Sequence, residues 1–143
     1  MRKVTHRICS AFLDFEDASI GNTSCSKDAI LLHGHPIIQR RHDTYTLKMC
    51  GYGTMTTRER LNGFLTLLKE AYPSFMPHLG FFQAKGKQYV SYRSQWGAEV
   101  AEFPFDAENG LLAIDTRTQE ISLWHVNGPT ASRQRIQWKS QPV

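Results

Sequence analysis

Thr56-Thr57-Arg58-Glu59-Arg60-Leu61-Asn62-Gly63-Phe64-Leu65-Thr66-Leu67-Leu68-Lys69-Glu70-Ala71-Tyr72-Pro73 is the stretch from which the rest of the chain is read. Leu61, Phe64, Leu65, Leu68 and Tyr72 recur at three- and four-residue intervals, the apolar stripe of an α-helix. Thr56-Thr57-Arg58-Glu59 fits the S/T-x-x-E capping pattern. In it Thr56 accepts from the backbone of the third helical residue and Glu59 reaches back. Pro73 stops the run, because proline has no backbone N–H and disfavours helix in the residue before it. One main helix is predicted over residues 57–72.

Outward from this helix the chain reads as strands. Val4, Ile8, Phe12 and Phe15 are scattered β-formers, taken as one strand, followed by a turn region that ends at Gly21-Asn22. Ala29 to His33 is apolar, Gly34 turns the chain, and Pro36 to Arg41 follows. After a turn at His42-Asp43, Thr44 to Met49 alternates with period two and puts Tyr45, Leu47 and Met49 on one face. Beyond Pro73, Leu79–Gln83 and Gln88–Tyr92 flank Lys85-Gly86 as a hairpin. A second hairpin is expected between Ala101–Phe105 and Leu111–Ile114, whose loop ends in Asn109-Gly110. Glu120 to Val126 is one more strand. The predicted fold is α+β: an antiparallel β-meander packed against one main helix. A single domain is expected over residues 1–128, with a polar, basic C-terminal tail over 129–143.

Composition is that of an ordinary globular domain. The 143 residues are 41% hydrophobic and 21% charged, and 8 Phe, 5 Tyr and 3 Trp supply a core without metal or disulfide. Cys9, Cys25 and Cys50 are odd in number and form no C-x-x-C pair, which argues for reduced thiols in a cytosolic setting. The basic start, Met1 to Arg7, leads into an apolar stretch interrupted by Asp14, Glu16 and Asp17, unlike a signal peptide. No window has the length of a membrane span. Net charge is +4, from 17 Lys+Arg against 13 Asp+Glu, which favours acidic partners without demanding them.

Candidate chemistry is sparse. His33 and His35 could share a strand face, but Gly34 and Pro36 predict a turn that splays them, and no further ligand stands at a usual spacing. They are read as surface or structural histidines, as is His42, so no metal and no cofactor are expected. Gly51-Tyr52-Gly53-Thr54-Met55-Thr56-Thr57 leads into the helix start with hydroxyls that could seat an anion. Capping explains those hydroxyls more simply, and Glu59 would put a negative charge in the same seat. Cys50 has no specified basic partner and is read as structural. No catalytic residue is nominated, and the chain is expected not to be an enzyme. Basic residues form two groups, Arg40-Arg41 and the tail residues Arg133, Arg135 and Lys139 with Trp138. Basic side chains beside an aromatic suit single-stranded nucleic acid. Arg58 and Arg60 would lie near the first helical turn.

Two segments carry a resemblance. Leu31-Leu32-His33-Gly34-His35-Pro36-Ile37-Ile38 contains an L-H-G-x-x-I strand, and Thr54 to Asn62 reads T-x-T-T-R-x-R-L-N. Together they resemble a group of small bacteriophage-encoded proteins. Gln83-Ala84-Lys85-Gly86-Lys87-Gln88-Tyr89 is similar to a later pattern of the same group. The likeness spans residues 21–92 and departs at Gly51-Tyr52-Gly53-Thr54, where many relatives have Gly-Trp. It implies a phage or prophage origin, a place in the host cytoplasm, and no catalytic residue. The expected function is that of an accessory protein that binds a host or defence-system protein, with CRISPR inhibition among the activities of this type. Tyr52, Arg58 and Arg60 join Arg40, Arg41, Arg133, Arg135 and Trp138 as candidate contact residues. A small nucleic-acid-binding protein is the alternative.

Overall fold

The computed structural model describes residues 1–127 and 130–137. Its first element corrects the expected N-terminal strand: Lys3–Leu13 forms a helix, α1. On a strand, His6 and Ser10 would share a face with Val4, Ile8 and Phe12. Helical winding turns them away and buries Thr5, Ile8, Cys9 and Phe12 together. Phe15, left-handed at φ 60°, ends the helix, and the Glu16 N–H returns to Ala11 O at 2.9 Å.

An antiparallel meander follows: β1 (Ala18–Ile20), β2 (Thr23–Cys25), β3 (Ala29–Leu32), β4 (His35–Arg41) and β5 (Thr44–Leu47). Three of its four turns, at Gly21, His33-Gly34 and His42, have positive φ; the fourth, between β2 and β3, is closed by the Ser26 N–H donating to Ala29 O at 3.0 Å. Tyr45, Leu47 and Met49 face the core as the alternation predicts.

Helix α2 runs Met55–Ala71, and Leu61, Phe64, Leu65 and Leu68 are buried along its stripe. Its cap lies two residues earlier than predicted. Thr54 Oγ1 accepts from the Thr57 N–H at 3.2 Å, and Glu59 does not reach back to the helix start. Glu59 instead accepts from Thr5 Oγ1 and Arg60, and from the Arg2 N–H at 3.2 Å. The carboxylate that completes a capping box is therefore spent on joining α2 to α1.

Strands β6 (His78–Ala84), β7 (Lys87–Arg93) and β8 (Val100–Phe105) form a three-stranded sheet. Strands β9 (Gly110–Asp115), β10 (Glu120–Asn127) and β11 (Thr130–Gln137) extend the first sheet to eight strands, in the order β1-β2-β3-β4-β5-β9-β10-β11. The expected β8–β9 hairpin does not form. Val90 of β7 faces Phe103 of β8, while Ile114 of β9 faces Tyr45 of β5. The connector crosses between sheets because Asp106 closes a turn there, its Oδ1 accepting from the Glu108 N–H at 2.9 Å and its carbonyl from the Gly110 N–H at 2.8 Å. Residues 130–137, expected to begin a loose tail, are strand β11, paired to β10. Trp138 and Lys139 lie outside the described residues.

The fold is α+β, with two helices and eleven strands among the described residues. The rings of Phe12 (α1), Phe64 (α2) and Tyr45 (β5) meet at centroid separations of 5.2 to 6.1 Å and join the two helices to the sheet.

Candidate functional site

The T-x-T-T-R-x-R-L-N segment works inward. Arg58 donates to Gly53 O at 2.9 Å, Gln83 Oε1 at 2.9 Å and Gln88 Oε1 at 3.1 Å, which ties the helix start to the β6–β7 hairpin. Asn62, one turn on, grips β6: its Oδ1 accepts from the Phe81 N–H at 2.7 Å and its Nδ2 donates to Phe81 O at 3.0 Å. Arg60 points the other way and is buried. It donates to Thr5 Oγ1 and Thr23 Oγ1, each at 2.9 Å, and pairs with Glu59. Burial pushes the Glu59 carboxyl up, but the donors from Thr5, the Arg2 N–H and Arg60 outweigh it and hold the group below the ordinary glutamate value. Arg58 and Arg60, nominated as contact residues, are thus internal fasteners.

The other half of the T-x-T-T segment and the L-H-G-x-x-I segment meet at a cavity of about 410 Å³. Its floor is apolar: Leu32, Ile37 and Met49, all buried. One wall is an aromatic pair, His35 and Tyr52, with ring centroids 4.8 Å apart and planes inclined by 36°. Thr54, Thr56 and Thr57 at the start of α2, together with His33, complete the lining. His33 is left-handed at φ 51°, as is Cys50, next to the lining residue Met49, at φ 56°. Cys50 Sγ donates to Pro36 O at 3.4 Å, and burial raises its thiol pKa, so it is no activated nucleophile. Burial likewise pushes the Cys9 thiol up to about 12.

Around the start of α2, large apolar side chains are left outside the core. Tyr52 is 52% and Met55 71% exposed. Met55 shares a surface depression of about 440 Å³ with Met1 and Phe82. Phe82 stacks on Tyr89 at 5.2 Å. Of these, only Tyr52 was singled out by the sequence. Met55 sits inside the motif but reads there as a neutral helix former; Phe82 reaches it through the packing of β6 beside α2, and Met1 through that of α1 beside α2.

The basic candidates do not gather. Arg40 is buried, its guanidinium between the Phe12 and Phe15 rings at 3.9 and 4.0 Å, and Nε donates to Lys27 O at 2.8 Å. Arg41 is exposed beside the β4–β5 turn. Arg133 lies over the Trp124 ring at 5.2 Å and pairs with Glu120, as does Arg135 at 3.3 Å. Among the described residues no group of three or more His, Cys, Asp or Glu side chains converges as a metal site. No described helix is long and apolar enough to cross a membrane.

The features on view are those of a small α+β protein whose motif side chains fasten its helices to its sheets. The same motif segments also frame a surface cavity. The model of the Kyanoviridae Gp96 protein family matches residues 1–111, and the chain belongs to that family of phage proteins. The match takes in α1, which lies outside the resemblance over residues 21–92. No curated protein and no solved structure matches the chain.

Proposed function

We propose that this phage accessory protein acts without catalysis, by binding a host or defence-system protein in the host cytoplasm. Inhibition of a defence system such as CRISPR is an activity of this type. The observation that carries the reading is the apolar face around the start of α2. Tyr52, Met55, Met1 and Phe82 stand there in or beside two surface depressions. Exposed apolar side chains gathered in one place mark interaction surfaces, and methionine adapts to varied partners. Nucleic-acid binding finds less support, because Arg40 and Arg60 are buried, Arg58 is bonded to the β6–β7 hairpin, and Arg133 and Arg135 share Glu120.

The test is affinity capture of the tagged protein from bacterial host lysate, with and without nuclease, beside Met55→Asp. A stoichiometric protein that survives nuclease and is lost with Met55→Asp supports the reading. Recovery of nucleic acid alone, lost at high salt, overturns it in favour of the alternative.

A further inference from the structure

We infer that the cavity between the His35–Tyr52 pair and the start of α2 receives an aromatic side chain from an acidic segment of the protein partner. This rests on the host-protein reading and names the chemistry of what is bound. The cavity, at about 410 Å³, falls within the roughly 300–1,000 Å³ range of small-ligand sites. Its floor includes Ile37 and Met49, both almost fully buried, so a ring that enters leaves water for an apolar surface and meets a thioether. The lining already holds a tilted aromatic pair, and Tyr52 is half exposed, so an incoming ring finds aromatic as well as aliphatic surface to pack against.

Charge selects the kind of segment. The other four described pockets each hold a carboxylate: Asp14 in one, then Asp106, Glu59 and Asp43. This one holds none, and its polar side-chain groups are two imidazoles, the Tyr52 phenol and threonine hydroxyls. Glu59, the acid nearest in sequence, is held on another side of α2 by Thr5, Arg2 and Arg60. No acidic residue stands in the helix's first turn, and the chain carries a net charge of +4. Thr54 and Thr57 are bonded to each other and His33 to Asn22, so a carboxylate beside the bound ring meets the Thr56 hydroxyl and the His35 imidazole, with no acidic side chain in the lining.

Two probes test this by NMR: N-acetyl-tryptophan, with its free carboxylate, and N-acetyl-tryptophanamide. The ring signals of His35 and the methyl signal of Met49 report occupancy. The acid is expected to bind saturably, and the amide about five- to tenfold more weakly, the loss of one charge-assisted contact. Tyr52→Ala weakens both probes. His33→Asp suits the positive φ of that residue and weakens only the acid. The inference is overturned if neither probe moves those signals, or if binding survives Tyr52→Ala unchanged. Affinity capture separates the two readings. A host protein lost with Met55→Asp but retained with Tyr52→Ala overturns the cavity inference and leaves protein binding standing. Probe binding with no host protein captured overturns the partner segment and makes the cavity a site for free aromatic acids.

Discussion

Arg60→Leu removes the side chain that joins α2 to both α1 and β2. Arg60 is 4% exposed and donates to Thr5 and Thr23 at 2.9 Å each, besides pairing with Glu59. Leucine leaves the Thr23 hydroxyl without its donor and Glu59 without its cation. A hydrogen bond to a charged group contributes about 1.5–3 kcal/mol, and two of good length are lost. Part of that loss is offset, because the desolvation cost of the guanidinium disappears and Thr5 keeps its bond to Glu59. The net expectation is a destabilisation of about 3 kcal/mol. With a urea slope of about 2 kcal/mol/M, the unfolding midpoint falls by about 1.5 M. Urea unfolding followed by tryptophan fluorescence measures it. Arg58→Leu is the control, because Arg58 is less buried and its removal leaves Gln83 and Gln88 bonded to each other at 3.0 Å. If Arg60→Leu moves the midpoint no further than Arg58→Leu, the buried arginine is not the fastener described here.

The cap position makes a sharper distinction: Thr54→Ala should cost about 1 kcal/mol in chemical denaturation and Thr56→Ala much less. Gly63→Ala should destabilise despite alanine's better helix propensity, because a Cβ there would collide with the Thr5 methyl; adding Thr5→Ser, which removes that methyl, should restore stability in the same assay. The stability gap between the parent and Glu59→Gln should be full at neutral pH. Glu59 has a depressed folded pKa, so its contribution is present above the ordinary glutamate value and lost as pH falls through the lower folded one; the gap should narrow on acidification below the ordinary value. A gap that does not narrow on acidification, while both chains stay folded, would refute the assignment. Thiol titration with a disulfide reagent at pH 8 should be slow for the native chain and complete for all three cysteines in denaturant, since burial raises each thiol.

The legible parts of the fold are those where one period excludes the other. The α2 stripe fits only a helix, and Pro73 marks its end within two residues of the observed Ala71. Strands β3 to β5 are bounded by Gly34 and His42, whose positive φ fixes their turns. Residues 3–13 misled because an interval of four places Val4, Ile8 and Phe12 on one face of a helix and of a strand alike. Asn109-Gly110 looked like a hairpin loop, but Asp106 turns the chain first and Phe105 is drawn onto Phe81, ring centroids 5.0 Å apart. Arg40 looked exposed beside its turn, yet pairing with Tyr45 places it on the core face under Phe12. For the site, Tyr52 was legible as an aromatic between glycines. Ile37 and Met49 come together through the β4–β5 pairing that the turn at His42-Asp43 predicts, but that Tyr52 joins them was not written in any local pattern.

Within residues 54–62 the polar side chains divide the structural work between them. Thr54 caps, Arg58 and Asn62 hold the β6–β7 hairpin, and Arg60 holds α1 and β2. Arg58, Asn62 and Arg60 spend their polarity on other elements and Thr54 on its own helix, so these four side chains offer little to a ligand. What they do is fix the start of α2 from several directions at once. A helix start held this firmly can carry Met55 in solvent and keep Tyr52 against His35 without either side chain being needed for the fold. Substitutions at Tyr52 or Met55 should therefore alter capture of a partner with little change in unfolding midpoint, and substitutions at Arg60 or Asn62 should do the reverse. A Tyr52→Ala chain that loses as much stability as Asn62→Ala would show that the aromatic wall is part of the scaffold and not of a binding face.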